Sequence, residues 1–449
     1  MKVATTTVLE QQRYSESHRQ YLLLAIPLII SNLTQPLLGI VDTAVVGRLP
    51  DPSYIGGVAV GALIFNIMYW LFGFLRVSTT GFTAQAHGSK DEKEMMLSLL
   101  RPMTMAIIFG LLFIVLQYPI LLGALWMVGP SDLVTSHVHT YFSIRIWGAP
   151  FALMSYVIIG WLMGLTKVRL SMTVQISMNM LNMLLSVWFV LGMDFGVAGV
   201  AIATLISELF SVLLGFVLLI RSKQIAFRKK TILTLFEAAP LLKMLSMNRD
   251  LFLRTVCLLT MTTVFTSKGA EMGEVALAAN AIILQIHYFM AYFFSGFANA
   301  SSIMVGRAIG ERNQSLFQRA CLLSGQWGGI AAVFLTGVIL FFGSSLVGFF
   351  TILDNVKDVA SEHVLWLMAY SIVGYWGLQL EGIFSGATEA RSIRNSILFS
   401  LLVFFGMLFL TVPVFGNHGV WFAFVMFSFS RSLFLSLYIP NLARTAFKA

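Results

Sequence analysis

The sequence predicts an all-α, polytopic membrane protein in which twelve transmembrane helices form two six-helix lobes. The first observation is composition, since 58% of the 449 residues are apolar and 11% are charged. Soluble domains carry roughly 25% charged residues. The second observation is a series of apolar runs, each about as long as the 20 residues that cross a bilayer. The third is an internal repeat that relates the two halves of the chain. Together they exclude a soluble globular domain.

Apolar runs separated by charged, Gly or Pro residues define the predicted spans. In the first half they lie near residues 21–43, 54–80, 102–126, 139–164, 173–192 and 197–220. In the second half they lie near residues 251–267, 276–304, 319–350, 362–386, 395–413 and 418–440. The seventh span is rich in threonine, and we interpret it as a cavity wall. The first run is too long for the core of a signal peptide, so we expect the first helix to be retained.

The basic residues predict the orientation of the chain. If the N-terminus is inside, most Lys and Arg residues fall in cytoplasmic loops, and Arg48, Lys268 and Lys357 are the exceptions in outer loops. Cytoplasmic loops of membrane proteins carry an excess of basic residues. We therefore expect a multi-pass protein of the bacterial inner membrane with both termini in the cytoplasm. The net charge of +9 reflects this orientation rather than binding to nucleic acid.

Similar positions recur at a nearly constant distance in the two halves. The matched positions are Gly88 and Gly310, Gly160 and Gly382, Gly164 and Gly386, Thr166 and Thr388, and Arg169 and Arg391. We infer a tandem duplication with an N-terminal lobe (1–220), a basic cytoplasmic linker (221–250) and a C-terminal lobe (251–449). Because six spans is an even number, the copies share one orientation and are related by a pseudo-two-fold axis along the membrane normal.

The repeated glycines have two predicted roles. Gly160 and Gly164, like Gly382 and Gly386, form small-xxx-small pairs, which are typical of close helix packing. Gly88 and its counterpart are predicted helix stops, because glycine tolerates positive φ after a last helical turn.

Polar side chains inside the spans point to a buried pocket. Asp42 is the sole charge between Tyr21 and Val46. One face of the first helix carries Asn32, Gln35, Gly39 and Asp42, and one face of the fifth carries Gln175, Asn179, Asn182 and Ser186. Two such stripes in one lobe are expected to meet at a polar pocket. The alternative is that Asp42 lies at the outer end of its helix and is simply hydrated.

The chemistry of Asp42 favours a proton site. Removal from water disfavours the charged form of a lone carboxylate, so that it can load and release a proton. Sodium needs several oxygen ligands, which Asn and Thr could supply, and it stays an alternative. Pro27 removes a backbone hydrogen bond within the first span, and we interpret it as a hinge, with simple helix bending as the alternative.

Other buried charges rank below Asp42. Glu208 and Glu381 are central in their spans and are second-rank candidates for a cavity. The buried charges are expected to include structural pairs, and the arginines near span ends are expected either to snorkel to the membrane surface or to pack; they are Arg76, Arg145, Arg254 and Arg431. Cys257 and Cys321 form no spacing pattern, so neither a disulfide nor a metal site is expected. No phosphate-binding loop or other enzyme motif is found, so we expect no enzyme and no cofactor.

Three segments of the sequence are distinctive: residues 36–47 (PLLGIVDTAVVG), residues 75–86 (LRVSTTGFTAQA) and the triplet 248–250 (NRD) followed by Arg254. In these segments the sequence resembles the multidrug and toxic compound extrusion family, most of all its bacterial DinF-type branch. It implies two six-helix lobes and export of organic cations in exchange for protons or sodium.

The resemblance also implies roles for individual residues. It assigns proton binding to Asp42, helix bending to Pro27 and polar pocket positions to Asn179, Asn182 and Thr204. With Gln35 and Ser186 from the two stripes, these polar residues form the predicted cation or substrate pocket. Ser186 stands where many relatives carry a second aspartate, so Asp42 would carry the proton alone. The seventh span also lacks the acidic residue of sodium-coupled relatives, which makes proton coupling the favoured prediction.

The predicted function is therefore secondary active export of organic cations or amphipathic drugs against protons, by alternating access. A sodium-coupled exporter is one alternative. A lipid-linked precursor flippase is another, and it would need arginines facing the cleft, for which Arg76, Arg145 and Arg254 are the candidates. The duplication and the buried stripe do not favour a passive channel or receptor. The expected partners are small organic cations or drugs and the lipid bilayer, and we expect a monomer.

Overall fold

The chain is helical throughout the part that the structure describes. The computed structural model describes residues 2–221 and 234–447, with side chains from His18 onward in those ranges. Residues 222–233 of the predicted linker 221–250 lie outside the described residues. No strand occurs within the described ranges, which confirms the all-α fold class.

The helices follow the predicted spans in order. Those of the first half are α1 (Lys2–Val46), α2 (Pro52–Leu71), α3 (Phe74–Gly88), α4 (Glu92–Val115), α5 (Gln117–Val128), α6 (Asp132–Arg145), α7 (Ala149–Gly164), α8 (Val168–Val187) and α9 (Gly196–Arg221). Those of the second half are α10 (Ala238–Glu271), α11 (Glu274–Gly310), α12 (Gln314–Phe350), α13 (Asp354–His363), α14 (Trp366–Gly386), α15 (Ala390–Phe415), α16 (Asn417–Ser436) and α17 (Ile439–Thr445). A 3-10 turn (Ile146–Gly148) joins α6 to α7, and a π turn (Trp188–Gly192) follows α8.

Within the described residues, ten helical stretches are long and apolar enough to cross a membrane. The two predicted spans that are not among the ten are the seventh and the tenth, which correspond to α10 and α14. Both are long helices, but each carries polar and charged side chains such as Arg254 and Glu381. Helices thus occupy all twelve predicted positions, and the two more polar ones carry Arg254 and Glu381.

Close contacts divide the chain into two compact units, and α1 contributes to both. The C-terminal unit comprises Met1–Asn32 and Ser246–Ala449, and the N-terminal unit comprises Leu33–Leu245. The sequence boundaries placed the whole first helix in the N-terminal lobe. The first half of α1 instead packs within the C-terminal unit.

Contacts along α11 explain why the first half of α1 belongs to the C-terminal unit. The Tyr21 hydroxyl donates a hydrogen bond to the carbonyl oxygen of Phe297 at 3.0 Å. About two turns further along α1, a Cβ atom placed on Gly296 would lie 2.8 Å from the backbone nitrogen of Ile29. The missing side chain of Gly296 therefore lets the two helices approach closely.

The glycine pairs pack equivalent helices in the two units. A Cβ atom on Gly160 of α7 would lie 2.5 Å from the carbonyl oxygen of Arg76 on α3. A Cβ atom on Gly382 of α14 would overlap the carbonyl oxygen of Ala298 on α11. The same backbone approach thus occurs once in each unit, at positions that the sequence repeat relates. This geometry agrees with the packing role predicted for these glycines.

The helix stops after α3 and α11 correct one sequence expectation. Gly88 and Gly310 are indeed the last residues of these helices. Positive φ occurs two residues later, at Lys90 (57°) and Arg312 (53°). Side chains with a Cβ rarely adopt this conformation, so its presence at both repeated positions is a specific shared feature of the two copies.

Candidate functional site

Asp42 lies near the end of α1, within the N-terminal unit. The Ser186 hydroxyl on α8 donates a hydrogen bond to Asp42 Oδ1 at 3.0 Å. Among the side chains that the structure describes, no basic group forms an ion pair with this carboxylate. Asp42 is partly exposed, and its contact with α8 connects it to the polar face of that helix.

The polar stripe of α8 faces the protein interior. Gln175, Asn179, Asn182 and Ser186 are each exposed by at most 3%. Their spacing of four, three and four residues places them on one side of the helix. Four buried polar side chains on one face need hydrogen-bond partners, because an unpaired polar group in an apolar environment is costly.

Side chains of α8 and α9 continue the contact of Asp42 into a line of hydrogen bonds. Ser186 Oγ also lies 3.2 Å from Asn182 Oδ1. Asn182 Nδ2 donates to Thr204 Oγ1 at 3.1 Å, and Thr204 Oγ1 donates to the carbonyl oxygen of Val200 at 3.0 Å. We call Asp42, Ser186, Asn182 and Thr204 the polar chain. It runs from the carboxylate to the backbone of α9.

The single proton of the Ser186 hydroxyl gives the polar chain two states. An ionised Asp42 can only accept, so Ser186 donates to it. A protonated Asp42 can donate to Ser186 Oγ, which frees the Ser186 proton for Asn182 Oδ1. Loading a proton on Asp42 therefore requires only that one hydroxyl turns. The arrangement can bind and release a proton at a fixed position.

A second contact joins α8 to α1. Asn179 Nδ2 donates to Thr34 Oγ1 at 2.8 Å. Thr34 could not be predicted from the sequence, because threonine is common in membrane helices and Asn179 is distant from it in the sequence. Gln35 is the neighbouring residue and is half-buried, and no described contact brings it into the polar chain. The structure therefore connects Asn179 to the first helix through Thr34.

Asn32 and Pro27 lie in the part of α1 that belongs to the C-terminal unit. Asn32 is buried, and its Nδ2 lies 3.5 Å from the carbonyl oxygen of Tyr292. The helix continues through Pro27 without interruption, although this residue has no N–H for the i−4 hydrogen bond. Its predicted role as a hinge stays a prediction.

Glu208 forms a buried pair with Arg145 in the N-terminal unit. Arg145 Nη2 lies 4.0 Å from Glu208 Oε1, and Arg145 Nη1 donates to the Tyr141 hydroxyl at 2.6 Å. The side chain of Arg145 is only 12% exposed, so it packs inward in a structural pair and does not snorkel. Gly148 makes room for the pair, because a Cβ atom there would overlap Glu208 Oε2. The sequence signal for this pairing is an acid and a base inside two spans of the same lobe.

Glu381 is held by two arginines in the C-terminal unit. Arg254 donates to both of its carboxylate oxygens, with Nη2 to Oε2 at 2.6 Å and Nε to Oε1 at 3.2 Å. Arg431 Nη2 contacts Oε1 from the other side. These arginines also point inward rather than toward the membrane surface. Glu381 is thus part of an ion triad, which differs from the unpaired carboxylate of Asp42.

The fold and this site define a class of protein. Membrane-length helices are duplicated. A polar chain of three buried side chains and one partly exposed carboxylate without an ion-pair partner lies in a bundle of apolar helices. Ionisable groups at such positions mark ion and substrate pathways in membrane proteins. The chain is therefore a polytopic helical membrane protein of the transporter class.

Comparison with known families gives the particular family. The MatE family model matches the chain twice, over residues 27–188 and 251–412. The chain belongs to this family, the multidrug and toxic compound extrusion transporters. Its members are transporters rather than enzymes, and they are multi-pass proteins of the lipid bilayer. The two matches also agree with the internal duplication.

Individual relatives cover almost the whole chain. The chain is 36% identical over 417 residues to DNA damage-inducible protein F of Escherichia coli, covering 92% of this chain and 90% of the relative. It is 25% identical over 448 residues to multidrug resistance protein MdtK of Yersinia enterocolitica, covering 95% and 96%.

Solved structures share the fold. One is the outward-facing conformation of a multidrug resistance MATE family transporter, with a TM-score of 0.86, 20% identity and coverage of 96% and 97%. Another is the Vibrio cholerae MATE transporter VcmN in the bent form, with a TM-score of 0.83, 17% identity and coverage of 96% and 98%.

Proposed function

We propose that this protein is a drug efflux transporter that exchanges organic cations or amphipathic drugs for protons by alternating access. It acts as a monomer in the bacterial inner membrane, with both termini in the cytoplasm. Relatives named for multidrug resistance support the substrate class, and the basic cytoplasmic loops support the orientation. Asp42 is the proton-binding residue of the proposal.

The observation that carries the proposal is the hydrogen bond between Ser186 and Asp42 at the end of the polar chain. A carboxylate without an ion-pair partner can exist in both protonation states without leaving an opposite charge exposed to hydrocarbon. Proton loading changes the net charge of this part of the N-terminal unit by one. A monovalent organic cation and a proton can therefore compete for the same carboxylate.

The contacts of the polar chain favour a proton over sodium. A sodium ion needs several oxygen ligands with lone pairs directed at it. Here Asp42 Oδ1 accepts from Ser186, and Thr204 Oγ1 accepts from Asn182. Sodium would have to displace these donors, whereas a proton needs only the Ser186 hydroxyl to turn.

The same contacts argue against a lipid-linked precursor flippase. Recognition of a pyrophosphate group would use arginines whose donors are free. Arg145 pairs with Glu208, and Arg254 pairs with Glu381. Two of the three candidate arginines are therefore already neutralised by glutamate.

The test is transport of a fluorescent organic cation by the purified protein in proteoliposomes. An imposed proton gradient and an imposed sodium gradient are compared in separate vesicles. We expect exchange under the proton gradient, and we expect Asp42→Asn to abolish it while the protein inserts and folds normally. Asp132→Asn is the matched control, because Asp132 is an exposed aspartate at the start of α6.

Three outcomes contradict the proposal. Exchange driven by sodium alone would reject proton coupling. Downhill flux of the cation with no counter-transport would indicate a channel. Full proton-driven exchange by Asp42→Asn, at the level of Asp132→Asn, would remove Asp42 from the mechanism.

A further inference from the structure

A cluster of one glutamate and two histidines lies away from the polar chain, in the C-terminal unit. Glu362 and His363 end the short helix α13, and His418 is in the first turn of α16. One potential ligand atom from each of the three lies within 4.8 Å of the others. Two imidazole nitrogens and one carboxylate oxygen are a ligand set that zinc uses in proteins.

His363 provides the fixed ligand of this cluster. Its Nδ1 lies 2.8 Å from the carbonyl oxygen of Val359, which can only accept a hydrogen bond. Nδ1 therefore carries the ring proton, and Nε2 has a free lone pair. His363 is 5% exposed, and its Nε2 has no hydrogen-bond partner. A backbone carbonyl that orients the far nitrogen is the usual arrangement of a metal-binding histidine.

The other two ligands are exposed and can adjust. Glu362 and His418 are 64% and 42% exposed. The ring of His418 stacks on that of His363 with centroids 4.0 Å apart and planes inclined by 16°. Tetrahedral zinc brings ligand atoms to about 3.3 Å from one another, since zinc–nitrogen bonds are about 2.0–2.1 Å long. The stacked His418 ring must also rotate, because a metal lies in the plane of each ring that binds it. Glu362 and His418 have the exposure to make these movements, whereas His363 stays fixed.

We propose that Glu362, His363 and His418 form a binding site for a divalent ion of the zinc type, with water in the fourth position. The ion would connect α13 to the start of α16. This site is independent of the proposed proton exchange, because its residues make no part of the polar chain.

Trp366 gives the proposal a specific consequence. Its indole N–H donates to His418 Nδ1 at 3.1 Å, so in the metal-free protein the His418 proton lies on Nε2 and points to Glu362 Oε1 at 3.0 Å. A metal bound at Nε2 moves that proton to Nδ1, where it faces the indole N–H. Trp366 therefore opposes metal binding, and Trp366→Phe removes this opposition.

The experiment measures binding of zinc chloride to the full chain in detergent by isothermal titration calorimetry, after purification without a histidine tag. We expect one bound zinc per chain and a zinc-dependent rise in the unfolding temperature. His363→Ala should lose both effects. Asp358→Asn, an exposed acid on the same helix α13, should keep them. Trp366→Phe should bind zinc about tenfold more tightly, since it removes about one competing hydrogen bond.

The opposite results overturn the proposal. Equal zinc binding by His363→Ala and the unchanged protein would place the ion elsewhere. Weaker zinc binding by a folded Trp366→Phe than by the unchanged protein would also place it elsewhere. Absence of any zinc-dependent heat or stabilisation would reject the site altogether. If His363→Ala fails to fold, His418→Gln serves as the second variant, because His418 is exposed.

Discussion

Replacing Ser186 by alanine tests the polar chain at its centre. The hydroxyl donates to Asp42 at 3.0 Å when the carboxylate is ionised, and it accepts from Asp42 when the carboxyl is protonated. A hydrogen bond to a charged group contributes about 1.5–3 kcal/mol, and one between neutral groups about 0.5–1.5 kcal/mol. Ser186→Ala loses both hydrogen bonds, and the bond to the charged group is the stronger of the two. The ionised form of Asp42 is therefore disfavoured relative to its protonated form by about 1–1.5 kcal/mol. At 1.36 kcal/mol per pH unit, the pH profile of exchange should move upward by about one unit.

The assay is proton-driven uptake of a fluorescent cation by proteoliposomes across a range of pH. Ser186→Thr keeps the hydroxyl and should restore the original profile. Ser211→Ala is the matched control, because Ser211 is a buried serine of the N-terminal unit whose hydroxyl bonds Ser155 at 2.8 Å and not Asp42. An unmoved profile in Ser186→Ala, with activity equal to that of Ser211→Ala, would refute this reasoning.

Three further substitutions test other parts of the protein. Asn182→Ala removes the link between Ser186 and Thr204 within the polar chain. We expect weaker coupling of cation export to proton uptake and a displaced pH optimum of transport, and an unchanged pH profile would contradict this. Pro27→Ala restores a backbone hydrogen bond, and we expect proton binding at Asp42 to persist while exchange is lost; equal transport per folded molecule would leave only a packing role. Glu381→Gln leaves the guanidinium groups of Arg254 and Arg431 partly buried and without their counter-charge. We expect the free energy of unfolding to fall by about 3–5 kcal/mol, measured by thermal unfolding. An unaltered unfolding temperature would show that the triad does not stabilise the fold.

Most of the fold could be predicted from the sequence because membrane insertion imposes long apolar runs. The duplication could be predicted for a different reason, since the same backbone approach in each unit demands glycine at Gly160 and Gly382. Predictions about local conformation were less accurate. Positive φ was expected at Gly88 and occurs at Lys90, because the chain continues for two residues beyond the last helical turn before it reverses.

The site could be predicted as faces of helices but not as pairs of side chains. Helical periodicity identified the stripe that contains Asn182, but not that Asn179 bonds Thr34 on α1. It also left both snorkelling and packing open for Arg145, whereas tertiary packing turns this arginine inward to Glu208. Periodicity gives the direction of a side chain from its own helix axis, and the identity of the opposite helix depends on tertiary packing.

Ser186 is uncharged, so Asp42 is the one acidic residue of the polar chain. This limits the net charge that a transport cycle can move across the bilayer. In the proposed exchange Asp42 carries either one proton or one monovalent cation, so a complete cycle moves no net charge across the bilayer. The membrane potential, which does about 2.3 kcal/mol of work per charge and 100 mV, then contributes nothing to export. The difference in pH alone limits accumulation, and each pH unit supports at most about a tenfold ratio of drug concentrations.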